Sequence, residues 1–312
     1  MLMSAQRFGG KQFGGKPPWL TRKAPEPGVL EQWQKLFQGL SLHTVCEEAS
    51  CPNAGECFAR RTATFLLLGD TCTRNCRFCN VRAGRPLPPD TAEPENLAGA
   101  VKKLGLKHVV LTSVTRDDLD DGGAAHFAAC VAAIHRFCPG TSVEVLVPDF
   151  KGDREAVWTV LGAGVAVFAH NVETVPALYG RTGGGADYRR SLAVLEAAKT
   201  LDPGILTKSS LMLGLGETAQ EVRQVLQDLR AACCDVVTLG QYLRPSPEHA
   251  PVSEYIEPSV FQRWEEEARA LGFAFVASGP FVRSSYRAEE AVDALKIAAG
   301  NDARRQKSAS QG

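Results

Sequence analysis

The sequence predicts an α/β fold, a mainly parallel sheet curled into a partial (β/α)6 barrel of the TIM type, and three observations predict it. Six short apolar runs recur along the chain: Thr64–Leu68, His108–Leu111, Val143–Val147, Val165–Ala169, Leu206–Leu213 and Val236–Leu239. They are mostly β-branched or leucine, as expected for strands buried on both faces. Between them lie longer stretches with helical patterns, near 94–104, 122–137, 152–162, 187–201, 217–232 and 259–271. Strands alternating with helices give a parallel sheet, and right-handed crossovers curl it into a full or partial barrel, with a doubly wound open sheet as the structural alternative. The third observation is a set of polar residues just past the runs: Gly69-Asp70, Thr112-Ser113, Pro148-Asp149, His170-Asn171-Val172-Glu173 and Gln241-Tyr242. Parallel α/β architectures carry their chemistry at the carboxyl ends of strands, so these polar residues would converge on one mouth.

Ahead of the barrel, residues 1–35 are rich in Gly, Pro and basic groups and read as an extended arm over the surface. The domain reading is an N-terminal extension over 1–58, the barrel over 59–272 and a C-terminal extension over 273–312. Of the 312 residues, 35 are Lys or Arg and 35 are Asp or Glu, so the chain lacks the basic excess of a general nucleic-acid binder. No run of eighteen apolar residues is present, and the opening segment has no apolar core of the secretory kind. The expectation is a cytoplasmic protein with no nucleic-acid or membrane partner.

Six of the ten cysteines crowd between Cys46 and Cys79. A disulfide framework belongs to short secreted chains, whereas clustered cysteines in a reducing compartment more often bind metal. Directly after the first strand, CTRNCRFC places Cys72, Cys76 and Cys79 on one tight loop. Three thiolates so spaced can hold three irons of a [4Fe–4S] cube and leave the fourth iron open to a chelating ligand. A zinc knuckle is the competing reading, but zinc usually takes four protein ligands in two pairs, and no second CxxC pair lies nearby. Upstream, Cys46, Cys51 and Cys57 form a second triplet whose spacing matches no common zinc pattern; buried or redox-active cysteines are the alternative to a second iron–sulfur site.

The CxxxCxφC loop, with Phe78 in the aromatic place, resembles the hallmark of the radical S-adenosylmethionine superfamily. The resemblance implies that the cofactor's amino and carboxylate groups chelate the open iron. An electron from the cluster then cleaves the sulfonium to methionine and a 5′-deoxyadenosyl radical. The upstream triplet together with Arg283-Ser284-Ser285-Tyr286 is similar to the lipoyl synthase family within that superfamily. This implies a second, auxiliary [4Fe–4S] cluster held by Cys46, Cys51, Cys57 and Ser285 and consumed as the sulfur source. An oxygen ligand is harder than thiolate and so the easiest to lose from such a cluster. Similarity runs from about Lys16 to about Ala299 and includes KPPWL, LTSVTRDDLDDGGA, HNVETV, ADYRRSL, LMLGLGET and LGQYLRPS. It departs at Ser210, where the family has glycine, and in the loop Arg181-Thr182-Gly183-Gly184-Gly185, which lacks a second arginine.

The implied activity is insertion of two sulfur atoms at C6 and C8 of an octanoyl chain on a carrier-protein lysine. The carrier would be a 2-oxoacid dehydrogenase acyltransferase subunit or the glycine cleavage H protein, and the electron donor a ferredoxin or flavodoxin. Cys72, Cys76, Cys79 and Ser285 are the residues expected to carry the chemistry.

Phe78, Ser113, Asn171, Glu173, Arg189 and Lys208 are the expected cofactor contacts, Asn171 and Glu173 through ribose hydroxyls and Arg189 as the first choice for the methionyl carboxylate, with Lys208 and Arg244 as alternatives. Each also has a plainer reading: a capped strand end for Asn171 and Glu173, and helix capping or solvation for Asp117, Asp118, Asp120 and Asp121. Gly214-Leu215-Gly216 reads as a strand-to-helix turn, Cys233-Cys234 as core, and His43 as a local hydrogen-bonding residue. Two rivals remain: biotin-synthase-like sulfur insertion into a small molecule, which needs neither the upstream triplet nor RSSY, and a non-catalytic iron–sulfur scaffold, which needs no polar strand ends.

Overall fold

All six apolar runs form strands. A computed structural model of the chain describes residues 15–21, 28–48, 51, 53–59, 62–286 and 288–294. The extended arm foreseen over 1–35 lies outside the described residues at 1–14 and 22–27, as does the family similarity beyond 294, and where it is described it is not extended throughout: a helix starts at Val29 and buries Trp33. In chain order the strands are β1 (His43–Thr44), β2 (Thr64–Leu67), β3 (Thr71–Cys72), β4 (Arg82–Ala83), β5 (His108–Ser113), β6 (Ser142–Leu146), β7 (Val167–Ala169), β8 (Leu206–Leu213), β9 (Val236–Gln241) and β10 (Phe275–Gly279). The main sheet runs β1-β2-β5-β6-β7-β8-β9-β10. Only β1 is antiparallel, against β2. The two edges are not paired with each other, so the barrel is partial.

The sequence anticipates six strands; the sheet has two more. β10 adds a seventh parallel strand in register with β9, inside the stretch read as C-terminal extension. β1 caps the other edge from within the N-terminal extension. β3 and β4 form a separate two-stranded ribbon.

The helices are α1 (Val29–Gly39), α2 (Val45–Glu48), α3 (Ala54–Ala59), α4 (Glu93–Leu104), α5 (Ala124–Phe137), α6 (Arg154–Leu161), α7 (Tyr179–Thr182), α8 (Tyr188–Leu201), α9 (Ala219–Ala231) and α10 (Pro258–Ala270). Their boundaries have local causes. α4 opens with Glu93, Pro94 and Glu95, closes with Lys102 and Lys103, and stops at left-handed Gly105, each charge set opposing the helix dipole at its end. Asp153, Asp187 and Thr218 cap α6, α8 and α9, and Thr218 with Glu221 forms a reciprocal capping box.

Two apolar cores lie under the helices. One joins β2, β5, β6 and β7 to α1, α4, α5 and α6; the other joins β8, β9 and β10 to α9 and α10. Below the mouth the barrel interior is polar: buried Lys208 on β8 places Nζ 2.8 Å from Glu144 Oε1 on β6, with His108 Nε2 3.8 Å from Glu144 Oε2. Burial alone would raise the Glu144 pKa, but Lys208, then His108, hold it below the usual carboxylate range. Among the described residues, no helix is long and apolar enough to cross a membrane.

Candidate active site

The strand ends open into a cavity of about 610 Å³. All six clustered cysteines and Ser285 line it, together with Phe78, Ser113, Asn171 and Glu173. The mouth foreseen from polar strand ends exists, except that Gly69-Asp70 does not line it: Asp70 pairs with Arg82 instead.

The first triplet is fixed by main chain. Leu68 and Gly69, with φ of 67° and 93°, turn the chain out of β2. The β3–β4 ribbon then clamps the loop, Gly84 N donating to Cys72 O at 2.9 Å. Cys72 Sγ accepts from the main-chain N–H of Arg74 (3.4 Å) and Thr115 (3.3 Å), and Cys76 Sγ donates to Gly183 O (3.4 Å).

Arg74, between the first two cysteines, ties the loop to its neighbours. It donates to both oxygens of Asp117 and both of Asp149, and Asp149 also accepts from Arg190. Burial works against ionisation of Asp149, but hydrogen bonds and charge from Arg74 hold it at about 2.

The second triplet is assembled from both ends of the chain. Cys46 lies on α2 and Cys57 on α3, with Cys51 N donating to Cys46 O at 3.1 Å. The bonds that dock the C-terminal segment on this layer include Asn53 Nδ2 to Phe281 O (2.7 Å), Thr64 Oγ1 to Ser285 Oγ (2.8 Å) and Tyr286 OH to Glu56 Oε1 (2.9 Å). Gly240 on β9 allows the approach, since a Cβ there would overlap the Val282 carbonyl oxygen.

These residues suit iron–sulfur ligation. Burial, then the charge of Cys51, pushes the Cys46 thiol up to about 12. Burial, then Cys79 and Cys72, pushes Cys76 up to about 12, and burial pushes Cys79 up to about 11. Thiols that crowd one another this way need cations between them to ionise. All six are free of disulfides. Among the described residues, no three His, Cys, Asp or Glu side chains converge as ligands of a lone ion. The zinc alternative, which needs ligands closed around one point, finds no support there.

A nucleoside-bearing cofactor also has its partners. Ser113 Oγ, Asn171 Oδ1 and His170 Nε2 are buried at the cavity wall with no hydrogen-bond partner among the described residues. Orphaned polar atoms of this kind are costly unless a ligand or water satisfies them. Asn171 Nδ2 donates to Glu173 Oε1 at 3.0 Å, and burial raises the Glu173 pKa to about 7 against that bond. Phe78 packs against the second core.

Two expected contacts do not reach the cavity. Lys208 lies within β8, two residues below Ser210 on the same strand face, and its charge is spent on Glu144. Arg189 is exposed near the start of α8 and does not line the cavity; its neighbour Arg190 is the one turned to the Asp149 network. Arg244 lines the cavity, but its guanidinium bonds the carbonyls of Pro247 and His249.

The plainer readings hold for several others. Asp117 and Asp118 pair with Arg74 and Arg116, and Asp121 accepts from the N–H groups of Gly123 and Ala125 at the start of α5. Gly214 and Gly216 form a positive-φ turn in which the N–H groups of Gly214 and Leu215 bond Glu217. His43 bonds Glu48. Cys234 is core, but Cys233 is exposed with φ of 58°, so the pair is split by the turn that ends α9. Ser210, in place of the expected glycine, accepts from Thr238 Oγ1 at 2.8 Å.

Sequence reasoning passed over Arg74, although its position inside the cysteine motif was a signal. It also passed over Lys16, which lines the cavity. Gly240, a glycine within a strand, was a signal of close backbone approach.

Comparison with known proteins agrees with this geometry. Residues 66–229 match the family model described as the Radical SAM superfamily. A protein of Caldicellulosiruptor saccharolyticus named lipoyl synthase is 56% identical over 275 residues, covering 88% of this chain and 96% of its own length. Proteins of the same name from Rubrobacter xylanophilus and Methylococcus capsulatus are 52% and 53% identical, covering 92% and 88% of this chain and 89% and 86% of theirs. Among solved structures, methylornithine synthase (PylB) superposes with a TM-score of 0.54 at 14% identity, covering 80% of this chain and 84% of that one. Streptococcus suis SuiB bound to S-adenosylmethionine gives 0.53 at 13%, covering 80% and 60%. At such identity the structural likeness concerns the fold alone.

Proposed function

Because this chain belongs to the lipoyl synthase family of the radical SAM superfamily, we propose that its cavity holds two [4Fe–4S] clusters, one on Cys72, Cys76 and Cys79 and one on Cys46, Cys51, Cys57 and Ser285. The chain is a radical SAM sulfurtransferase that inserts two sulfur atoms into an octanoyl chain, with S-adenosylmethionine and both clusters as cofactors. When bound, the cofactor and the first cluster supply a hydrogen-abstracting radical, and the second cluster supplies sulfur.

The protein's own part is placement. The first loop offers three thiolates and no local fourth, which leaves a chelation site facing the cavity. Ser113, His170 and Asn171 offer polar atoms to the nucleoside, Asn171 with Glu173 to its ribose hydroxyls. Phe78 and the apolar walls would keep water from the reacting carbon and hold the substrate in place. The Thr64 hydroxyl holds Ser285 on the wall of the second triplet. The two extensions, taken as 1–58 and 273–312, meet through their described residues Asn53, Glu56, Phe281 and Tyr286 and so close the second cage. The substrate is an octanoylated lysine of a lipoyl carrier, an acyltransferase subunit or the glycine cleavage H protein, and the reaction takes place in the cytoplasm.

The observation that carries this reading is the convergence of Ser285 with Cys46, Cys51 and Cys57 on one cavity also lined by Cys72, Cys76 and Cys79. The test is anaerobic reaction with an octanoylated carrier peptide and then mass spectrometry. A gain of two sulfurs, from protein holding about eight irons per chain, supports it. Nucleoside release that is indifferent to the carrier would favour a small-molecule substrate, and no release at all a passive scaffold.

A further inference from the structure

At Gly183–Gly184 the wall between the first triplet and solvent is main chain, with Tyr179 beside it lining both sides. Residues Thr182, Gly183 and Ala186 line the cavity, while Gly184, Gly185 and again Ala186 line a groove on the outer surface. The cluster loop splits the same way: Cys76 faces the cavity, and its neighbours Asn75 and Arg77 line the groove. The two backbones are locked together, with Arg77 N donating to Thr182 O at 2.9 Å. Gly184 has φ of 50°, and a Cβ on it would lie 2.6 Å from Cys76 N, so no side chain can thicken the wall at this point.

The groove is cationic. Arg77 and Arg181 line it, both exposed. The Arg77 guanidinium bonds a main-chain carbonyl, that of Glu248 at 2.7 Å, and neither arginine forms an ion pair among the described residues. Arg189, also exposed, follows the groove-lining Ala186 by three residues, at the start of α8. The flanking acids are Glu248 and Asp187, and the Asp187 carboxylate is engaged in capping α8. Arg74 and Arg190 behind the wall are neutralised by Asp117 and Asp149.

Resting on the proposed function, we infer that this groove is the docking face for an acidic protein carrying a low-potential one-electron centre, and that the electron crosses the wall at Cys76. One electron leaves the partner's centre, which is oxidised by one equivalent. It is consumed in reducing the sulfonium, whose carbon–sulfur bond breaks to give a thioether and a carbon radical. Cationic grooves select acidic partners and speed their encounter, an effect that salt removes. The floor of this one gives the partner close approach to the cluster loop without opening the cavity to water.

The test uses the reconstituted full chain, flavodoxin as the acidic donor, and the variants Arg181→Glu and Arg181→Glu/Arg189→Glu. Titration calorimetry with oxidised flavodoxin reads docking independently of turnover. The expected result is a Kd weaker by about tenfold for the single variant and more for the double at low salt, converging on the parent value at high salt. Formation of 5′-deoxyadenosine driven by limiting reduced flavodoxin falls by a similar factor, while the dithionite-driven rate stays at the parent level. An unchanged Kd overturns the inference, as does an equal fall with both reductants, or weakened binding of the octanoylated carrier in place of flavodoxin. Failure of the parent chain to form the nucleoside with dithionite would sink the proposed function instead, and the calorimetry would still decide the docking face.

Discussion

The two cysteine triplets line one cavity but are built in opposite ways. The Cys72–Cys79 loop is local: one segment, clamped at its base by the β3–β4 ribbon and held at its crown by the Arg74–Asp149 network. The Cys46–Cys57 cage is composite, with its proposed fourth ligand brought from a distant part of the sequence by hydrogen bonds spanning 221 to 230 residues. The first arrangement suits a cluster that must survive many electron transfers. The second suits one that can be opened, because the bond that holds Ser285 itself, from Thr64, is a hydrogen bond contributing about 1 kcal/mol net.

The contrast can be broken most directly by removing one thiol from each side. Cys76→Ala should abolish nucleoside formation and leave about four irons on the second cage. Cys57→Ala should keep nucleoside formation and lose all sulfur insertion. Iron analysis with product mass spectrometry reads both, and a variant that loses both clusters at once would show the cages to be interdependent.

Gly240→Ala tests the composite side alone. The new methyl group must push Val282 away and with it Ser285. A loss of about 1–3 kcal/mol in denaturant unfolding is expected, together with loss of the second cluster while the first persists.

Asp149→Asn tests the local side. It should lower stability at neutral pH by about 2 kcal/mol, because Arg74 and Arg190 lose their shared anion. The Asp149 pKa is lowered on folding from 3.8 to about 2, so the stability it contributes is present above pH 4 and lost as pH falls through about 2. The gap between parent and variant should therefore narrow in acid, which thermal melts across that range would show. Thr64→Val should have the smallest effect, about 1 kcal/mol, and should speed release of iron from the second cage only.

Legibility in the sequence divides along the same line. Local features were readable: the strand foreseen over Leu206–Leu213 is β8 to the residue, and the cysteines of CTRNCRFC meet on one loop. Features set by distant packing were not. β10 carries one buried residue in five, and its pairing is fixed only by β9 beside it. Arg189 and Arg190 are neighbours in sequence, yet one helical step of about 100° turns one to solvent and the other to Asp149. Lys208 reads as a strand-end cation until Glu144, on a strand two removed in the sheet, is known to face it.

The separation of Thr64 from Ser285 also has a consequence in time. Ribosomes add on the order of 5–20 residues per second, so a nascent chain carries the first thiol loop on the order of ten to forty seconds before the Ser285 hydroxyl is made. The order of synthesis thus gives the two sites a direction: the three thiols of the first loop are made together and early, whereas the proposed second cage lacks its hydroxyl until Ser285 is added.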